Sequence, residues 1–224
     1  MALVIILKKL GGVGFIVHCK ILNTVMECEP ISNRVIRIRI RAAPRNLSVI
    51  QVYAPTSDCN EDELEMFYHQ LEATMKNIPK KDIFIVMGDW NAKIGSDAHA
   101  ERPGTAGKFG LGCTNERGLR LLEFAKLHNM VIVNTKYKHK ISRRVTWVAP
   151  DGITKNQIDY ILVEKKWSSS INGHKTRYFP GADVGSDHNL VMATMKLKSK
   201  KIRPPYSRIK YDTSQLRNAD TGNL

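Results

Sequence analysis

From Gly11 to Val163, short apolar runs rich in β-branched residues alternate with turn residues and with two stretches of helical spacing. That rhythm is the signature of a mixed α/β domain. Val13 to Val17 and Leu47 to Tyr53 predict strands, and between them Ile36, Ile38 and Ile40 alternate with Arg37, Arg39 and Arg41. A period of two places the isoleucines on a buried face and, by the pattern of half-buried sheets, the arginines on a solvated outer one. Asp82 to Met87 is almost continuously apolar, as a strand buried on both faces would be, and Asp89 follows it directly. Val131 to Val133, Val145 to Val148, Ile158 to Val163 and Leu190 to Leu197 predict further strands.

Glu61 to Asn77 predicts a helix: Leu64, Phe67, Leu71 and Met75 fall on one face, Asn60 can cap it with Glu63 three residues on, and Pro79 closes it. A second helix is predicted from about Glu116 to Leu127, with Asn115 as cap, Asn129 as terminator, and Leu119, Leu122 and Phe124 turned to the core. Lys93 to Gly112 is rich in glycine and poor in apolar residues, which reads as a long surface loop, functional or mobile rather than structural. Its glycines do not make a nucleotide-binding loop, because Lys108 is followed by Phe109 where such a loop needs Ser or Thr. From Lys196 the chain turns basic and loses periodicity, with Pro204-Pro205 marking a tail or linker.

The 224 residues suffice for one substantial core. A formal charge of +14 favours polyanionic partners. Cys19, Cys28, Cys59 and Cys113 lie too far apart for a metal knuckle or a disulfide framework, so reduced thiols of the nucleus or cytosol are expected. The opening apolar run is cut by Lys8 and Lys9, short of a membrane span, and lacks the flanks of a signal peptide.

Candidate chemistry gathers at strand ends. Asp89 and Asn91 lie two apart after a strand, so a carboxylate able to take a proton and an amide able to orient water or phosphate can face one cavity. Taken alone, such a string is more often a surface turn with an Asx hydrogen bond. His188 follows Asp187, and an imidazole beside a carboxylate can be kept protonated to bind a phosphoryl oxygen. Asp159 sits inside an apolar strand, where a carboxylate needs a partner; His188 is the candidate. Together these are the parts of metal-assisted phosphodiester hydrolysis.

The order Tyr53-Ala54-Pro55-Thr56, Gly88-Asp89-Trp90-Asn91, Thr146-Trp147, Gln157-Ile158-Asp159-Tyr160 and Gly185-Ser186-Asp187-His188 resembles the endonuclease/exonuclease/phosphatase superfamily, from about Gly11 to Leu197. Gly110-Leu111-Gly112, Asn115 with Gly118 to Leu122, and Ala182-Asp183-Val184 resemble more closely the endonuclease domain of RTE-type non-LTR retrotransposons, which is similar to apurinic/apyrimidinic endonucleases. The resemblance implies an α/β (α+β) fold, a four-layered β-sandwich flanked by helices of DNase I-like type. It implies magnesium as cofactor, with manganese as the alternative ion, and nicking of DNA to leave a 3′ hydroxyl.

Carried over, Asp89 would activate water, Asn91 would position phosphate, His188 would contact the scissile phosphate and Asp159 would orient it. Tyr53 would touch the phosphate, Trp147 the substrate, and Asp187 with Asp89 the metal. DNA is the expected partner of a monomer that binds no membrane. The segment Arg208 to Asp212 resembles the connector that leads, in full-length elements, to a reverse transcriptase domain, which is not expected here.

The family opens with a strand carrying a metal-site Asn and another ending in a metal-binding Glu, and Met1 to Leu10 resembles neither; Glu27 and Glu29 come too late to replace it. The expected organisation is a non-matching segment 1–10, a nuclease-like domain 11–198 lacking its opening strands, and a basic linker or tail 199–224. Activity is expected to be impaired by an incomplete metal shell. The alternative is a non-catalytic module that binds nucleic acid or protein. An inositol phosphate or lipid head group is a third substrate class, disfavoured by the charge.

Overall fold

The structure, a computed structural model, describes residues 3–10, 12–172, 177–178 and 186–197. Its centre is a six-stranded sheet in the order β3 (Val25–Pro30), β4 (Val35–Ile40), β5 (Leu47–Tyr53), β6 (Ile83–Asp89), β10 (Asp159–Glu164) and β7 (Met130–Ile132). Only β5 and β6 run parallel, and the helix α1 (Glu61–Lys76) connects them. A crossover helix is the expected solution for a parallel neighbour, because a tight turn cannot reverse the chain twice.

The strands bury both faces at period two. Val35, Ile50, Val52, Val86, Tyr160 and Leu162 form one core with α1 and with α3 (Glu116–Leu127). Ile85, Ile161, Val163 and Val133 turn the other way, where Ile171, Trp167, Val191 and Met195 cover them. On the same side Ile38 and Val49 meet Val17 and Phe15 of β2 (Val13–His18). Helices thus cover one face and two-stranded ribbons the other. Those ribbons are β1 (Leu3–Leu10) with β2, and β11 (Arg177–Tyr178) with β12 (Val191–Met192); a third, β8 (Trp147–Val148) with β9 (Lys155–Asn156), stands beside the sheet's functional end. The mixed α/β class with a central multistranded sheet is as expected.

Both helices form where their caps place them. Asn60 Oδ1 accepts the Glu63 N–H at 2.8 Å, and Asn115 Oδ1 accepts the Gly118 N–H at 2.9 Å, each satisfying an amide that the first helical turn leaves open. Asn129 ends the second with φ 52°, a conformation Asn tolerates. Leu119, expected in the core, is exposed; Leu121, Leu122, Phe124 and Ala125 take the buried face.

Three further expectations are corrected. The arginines of β4 do not line a solvated face: Arg37 is 7% exposed, with Nη2 2.7 Å from Glu29 and 3.1 Å from Glu27, and Arg39 Nε lies 2.7 Å from the buried Asp82 carboxylate. That face lies under the end of α1, where Arg37 also donates to the Asn77 carbonyl, and burial there is tolerated because each guanidinium meets carboxylates. Lys93 to Gly112 is no surface loop. Ile94, Ala98 and Ala106 are buried, residues Ala98–Glu101 form a short helix α2, and the Gly107 N–H bonds Thr135 Oγ1 at 2.8 Å where a Cβ would strike the Thr135 backbone. Its glycines serve close packing rather than mobility. Finally, Leu190 to Leu197 yields only β12 and a single bridge between Met195 and Ile171.

The opening segment read as non-matching supplies β1, which pairs antiparallel with β2. The tail, and Ala182-Asp183-Val184-Gly185 before the last motif, lie outside the described residues. No helix among the described residues is long and apolar enough to cross a membrane.

Asp82 also accepts the Ser48 hydroxyl at 3.0 Å, so its loss orphans two donors. Asp82→Ala is expected to cost about 3 kcal/mol, by leaving Arg39 beside the core without its partner. Arg41→Ala, exposed on the same strand pattern, is expected to cost under about 0.5 kcal/mol. Urea unfolding of the two variants checks the contrast.

Candidate active site

Register builds the site. On β5, β6 and β10, Tyr53 pairs with Asp89 and Asp89 with Asp159, so the three residues form one row across neighbouring strands. Their parity matches Met87 and Ile161, which places the row on the ribbon-covered face. Gly88 permits this pairing: its φ is +146°, and a Cβ there would collide with the Val52 carbonyl. Only glycine holds that conformation without strain.

His188 reaches the row from the far end of the chain. Its Nδ1 lies 3.1 Å and 3.3 Å from the two Asp159 oxygens, and its Nε2 lies 3.8 Å from Asp89 Oδ2. A carboxylate only accepts, so Nδ1 carries a proton toward Asp159 and Nε2 faces Asp89. The Asp159 hydrogen bond holds the His188 pKa above its ordinary value, against burial. Sequence alone named Asp159 and His188 as partners; their contact confirms that pairing.

Asp89 is under opposing pressures. Burial pushes its pKa up to about 6, and the Asp159 and Asp187 carboxylates push the same way, while the Asn91 amide and His188 pull it back. Asn91, with φ 47°, donates its backbone N–H to Asp89 Oδ1 at 2.9 Å and its side-chain amide to the Ala54 carbonyl at 2.9 Å. It thereby ties the loop after β5 to the loop after β6. Trp90, between them, is buried and bonds the Tyr160 carbonyl through its indole.

Asp187 lies at the rim, its carboxylate accepting the Trp147 indole N–H at 2.9 Å, which holds its pKa below the usual range. Trp147 also bridges His188 through the backbone. Tyr53 packs against Gly12 and receives the Arg34 guanidinium over its ring at 5.4 Å.

Two further residues hold the row: Thr146, which the sequence offered only as part of a motif, and Asn134, which sequence reading missed. Thr146 Oγ1 accepts the Ile158 and Asp159 N–H groups at 2.9 and 3.1 Å, and Asn134 donates to the Asp159 carbonyl at 2.9 Å while accepting the Ile161 N–H. A lone Asn after the apolar run ending at Val133 was the available signal for the second. Beside the row, Gln51, Met87, Asp159, Ile161, Leu190 and Val191 line a cavity of about 280 Å³.

Among the described residues, no three His, Cys, Asp or Glu side chains come together to hold a metal ion. Asp159 is engaged by His188 and Asp187 by Trp147. These donors do not by themselves fit a resident magnesium ion.

Two carboxylates and an imidazole thus stand together at one end of the central sheet. A family model described as Endonuclease-reverse transcriptase matches residues 47–192, and the chain belongs to that family. Craniofacial development protein 2 of Bos taurus is 45% identical over 190 residues, covering 85% of this chain and 31% of that protein. Its counterpart in Tragulus javanicus is 44% identical over 190 residues, covering 85% and 32%. The chain thus spans about a third of the length of these relatives.

Among solved structures, the endonuclease domain of TRAS1, a telomere-specific non-LTR retrotransposon, aligns with a TM-score of 0.51 at 18% identity, covering 75% of this chain and 66% of that one. The 3′-5′ exonuclease NExo of Neisseria meningitidis aligns at 0.53 and 17% identity, covering 74% and 66%. At such identities the shared property is the fold.

The raised Asp89 carboxyl makes a stability prediction. With 3.8 as its ordinary value and about 6 in the folded protein, the folded state holds the proton more tightly, so stability falls as pH rises through that window. Asp89→Asn, which keeps an acceptor for Asn91, is expected to match the parent at about pH 3, below the ordinary carboxyl value, and to exceed it by up to about 3 kcal/mol above pH 7. Thermal unfolding at both pH values checks it.

Proposed function

We propose that this domain hydrolyses phosphodiesters of DNA, nicking one strand of a duplex, and that it derives from a retrotransposon endonuclease. The observation that carries the reading is His188, held by Asp159 at 3.1 Å with its other nitrogen toward Asp89 at 3.8 Å. Asp89 takes a proton from the attacking water as the new oxygen–phosphorus bond forms. His188, whose pKa Asp159 raises, donates in its protonated form from Nε2 to a phosphoryl oxygen and stabilises the charge that accumulates there. The bond to the 3′ oxygen breaks, and that oxygen takes a proton from bulk water, leaving a 3′ hydroxyl.

Tyr53 borders the phosphate in this reading. Asn91 acts through Asp89, which it orients, rather than by spending its bonded amide proton on substrate.

The test is nicking of supercoiled plasmid and of a duplex with one abasic site, from pH 5 to 9, with magnesium and manganese each titrated from zero. Activity is expected to have an acid limb near pH 6, where Asp89 ionises. Asp89→Asn and His188→Ala are each expected to lower the rate by about 10²-fold or more.

The absence of a three-donor metal cluster among the described residues favours a second reading, a non-catalytic nucleic-acid-binding module. Folded protein that binds duplex but nicks neither substrate at any metal concentration would overturn hydrolysis and leave that module.

A further inference from the structure

No Asp or Glu occurs between Glu123 and Asp151, while Lys136, Lys138, Lys140, Arg143 and Arg144 crowd into nine residues of that interval. A run of like charge is ordinarily a solvated surface with no further meaning. Here its placement adds information. It follows β7, which runs antiparallel to β10, so it emerges at the Asp159 end of the sheet, directly after Asn134, which bonds the Asp159 carbonyl. It ends at Thr146, which accepts the Asp159 N–H, and at Trp147, which bonds Asp187. Both ends of the basic segment are therefore stitched to the candidate active site.

The segment is also fixed in place. Tyr137 donates its hydroxyl to the Ile171 carbonyl at 3.3 Å, and Arg144 Nη1 donates to the Phe109 and Gly110 carbonyls, each at 3.1 Å. Between these anchors Lys138, Lys140 and Arg143 are exposed, the last in the single 3-10 turn Ile141–Arg143. None of the three forms an ion pair with an acidic side chain of the described residues within 4.0 Å. Arg143 lies three residue steps before Thr146, a reach of at most roughly 11 Å. That places a cation within a few nucleotides of a phosphate bound at His188.

We propose that Lys138, Lys140 and Arg143 form a phosphate-backbone track that holds duplex DNA to one side of the scissile bond, making the substrate a polymer rather than a small phosphodiester. This rests on the nucleic-acid reading above and adds where the strand lies. Exposed cations presented by an anchored segment contact phosphates without reading bases, so they contribute salt-sensitive affinity and little sequence preference.

The experiment uses the full chain with Asp89→Asn, which silences chemistry, and measures binding of a labelled 30-base-pair DNA duplex from 0.05 to 0.4 M salt. Adding Lys138→Ala, Lys140→Ala and Arg143→Ala is expected to reduce the slope of log affinity against log salt by about 2.7, close to 0.9 per lost contact. At 0.1 M salt the affinity should fall on the order of 10²-fold. The control pair Lys80→Ala and Lys81→Ala, at the opposite end of β6, is expected to leave the slope unchanged.

An unchanged slope in the folded triple variant overturns the track, whatever the wild-type protein cleaves. So does tighter binding of an RNA duplex of the same length than of DNA. If the slope falls but wild-type protein nicks nothing, the track stands and hydrolysis fails. If wild-type protein does nick, the triple variant is expected to raise KM for plasmid while leaving hydrolysis of bis(4-nitrophenyl) phosphate unaltered; equal loss on both substrates also overturns it.

Discussion

Tyr53, Asp89 and Asp159 stand in one row because β5, β6 and β10 pair in a single register, and everything at the functional end of the sheet is built on that row. A slip of one residue would move every side chain of a strand to the opposite face. Several features prevent it. The hydrophobic alternation of β5, β6 and β10 buries both faces, so each wrong register would expose apolar residues to water and drive polar ones into the core. Gly88 admits the close approach of Val52, and Thr146 and Asn134 hold the backbone of β10 at its first residue.

Two carboxylates side by side in a half-buried place repel one another and lose hydration. The site resolves this unequally. Asp159 has His188 as a close partner, whereas Asp89 has one backbone amide and a more distant imidazole. The result is a carboxyl whose ionisation lies near neutrality, which is where proton transfer is useful. Preorganisation comes from backbone-directed bonds: Asn91, Thr146 and Asn134 all spend side-chain groups on main-chain atoms. Their role is to fix where the carboxylates stand.

Much of this was legible in the chain. Caps at Asn60 and Asn115, the strand ending at Asp89, and the pairing of Asp159 with His188 are set by local chemistry: an Asx oxygen beside free amides, an apolar run, and a carboxylate in a strand that needs a partner. The Lys93 to Gly112 segment was misread because glycines that permit mobility in isolation also permit backbones to touch, and only the neighbours of Gly107 and Gly110 distinguish the two. The arginines of β4 were misread for a similar reason. Alternation tells which residues share a face but not what covers it, and here α1 and the acids Glu27, Glu29 and Asp82 cover the arginine side.

By itself, then, the sequence determined the α/β class, the helix limits, the family and the short roster of Asp89, Asn91, Asp159, Asp187 and His188, because each depends on residues near in the chain or on a motif order that survives as text. Tertiary structure alone decided the rest. It set the distances within the roster, the raised pKa of Asp89, the diversion of Asp187 to Trp147, and the failure of the described acids to gather as a metal site. The reason is that desolvation and charge pairing depend on what lies within a few ångströms in space, and residues separated by up to a hundred positions in the chain supply those neighbours.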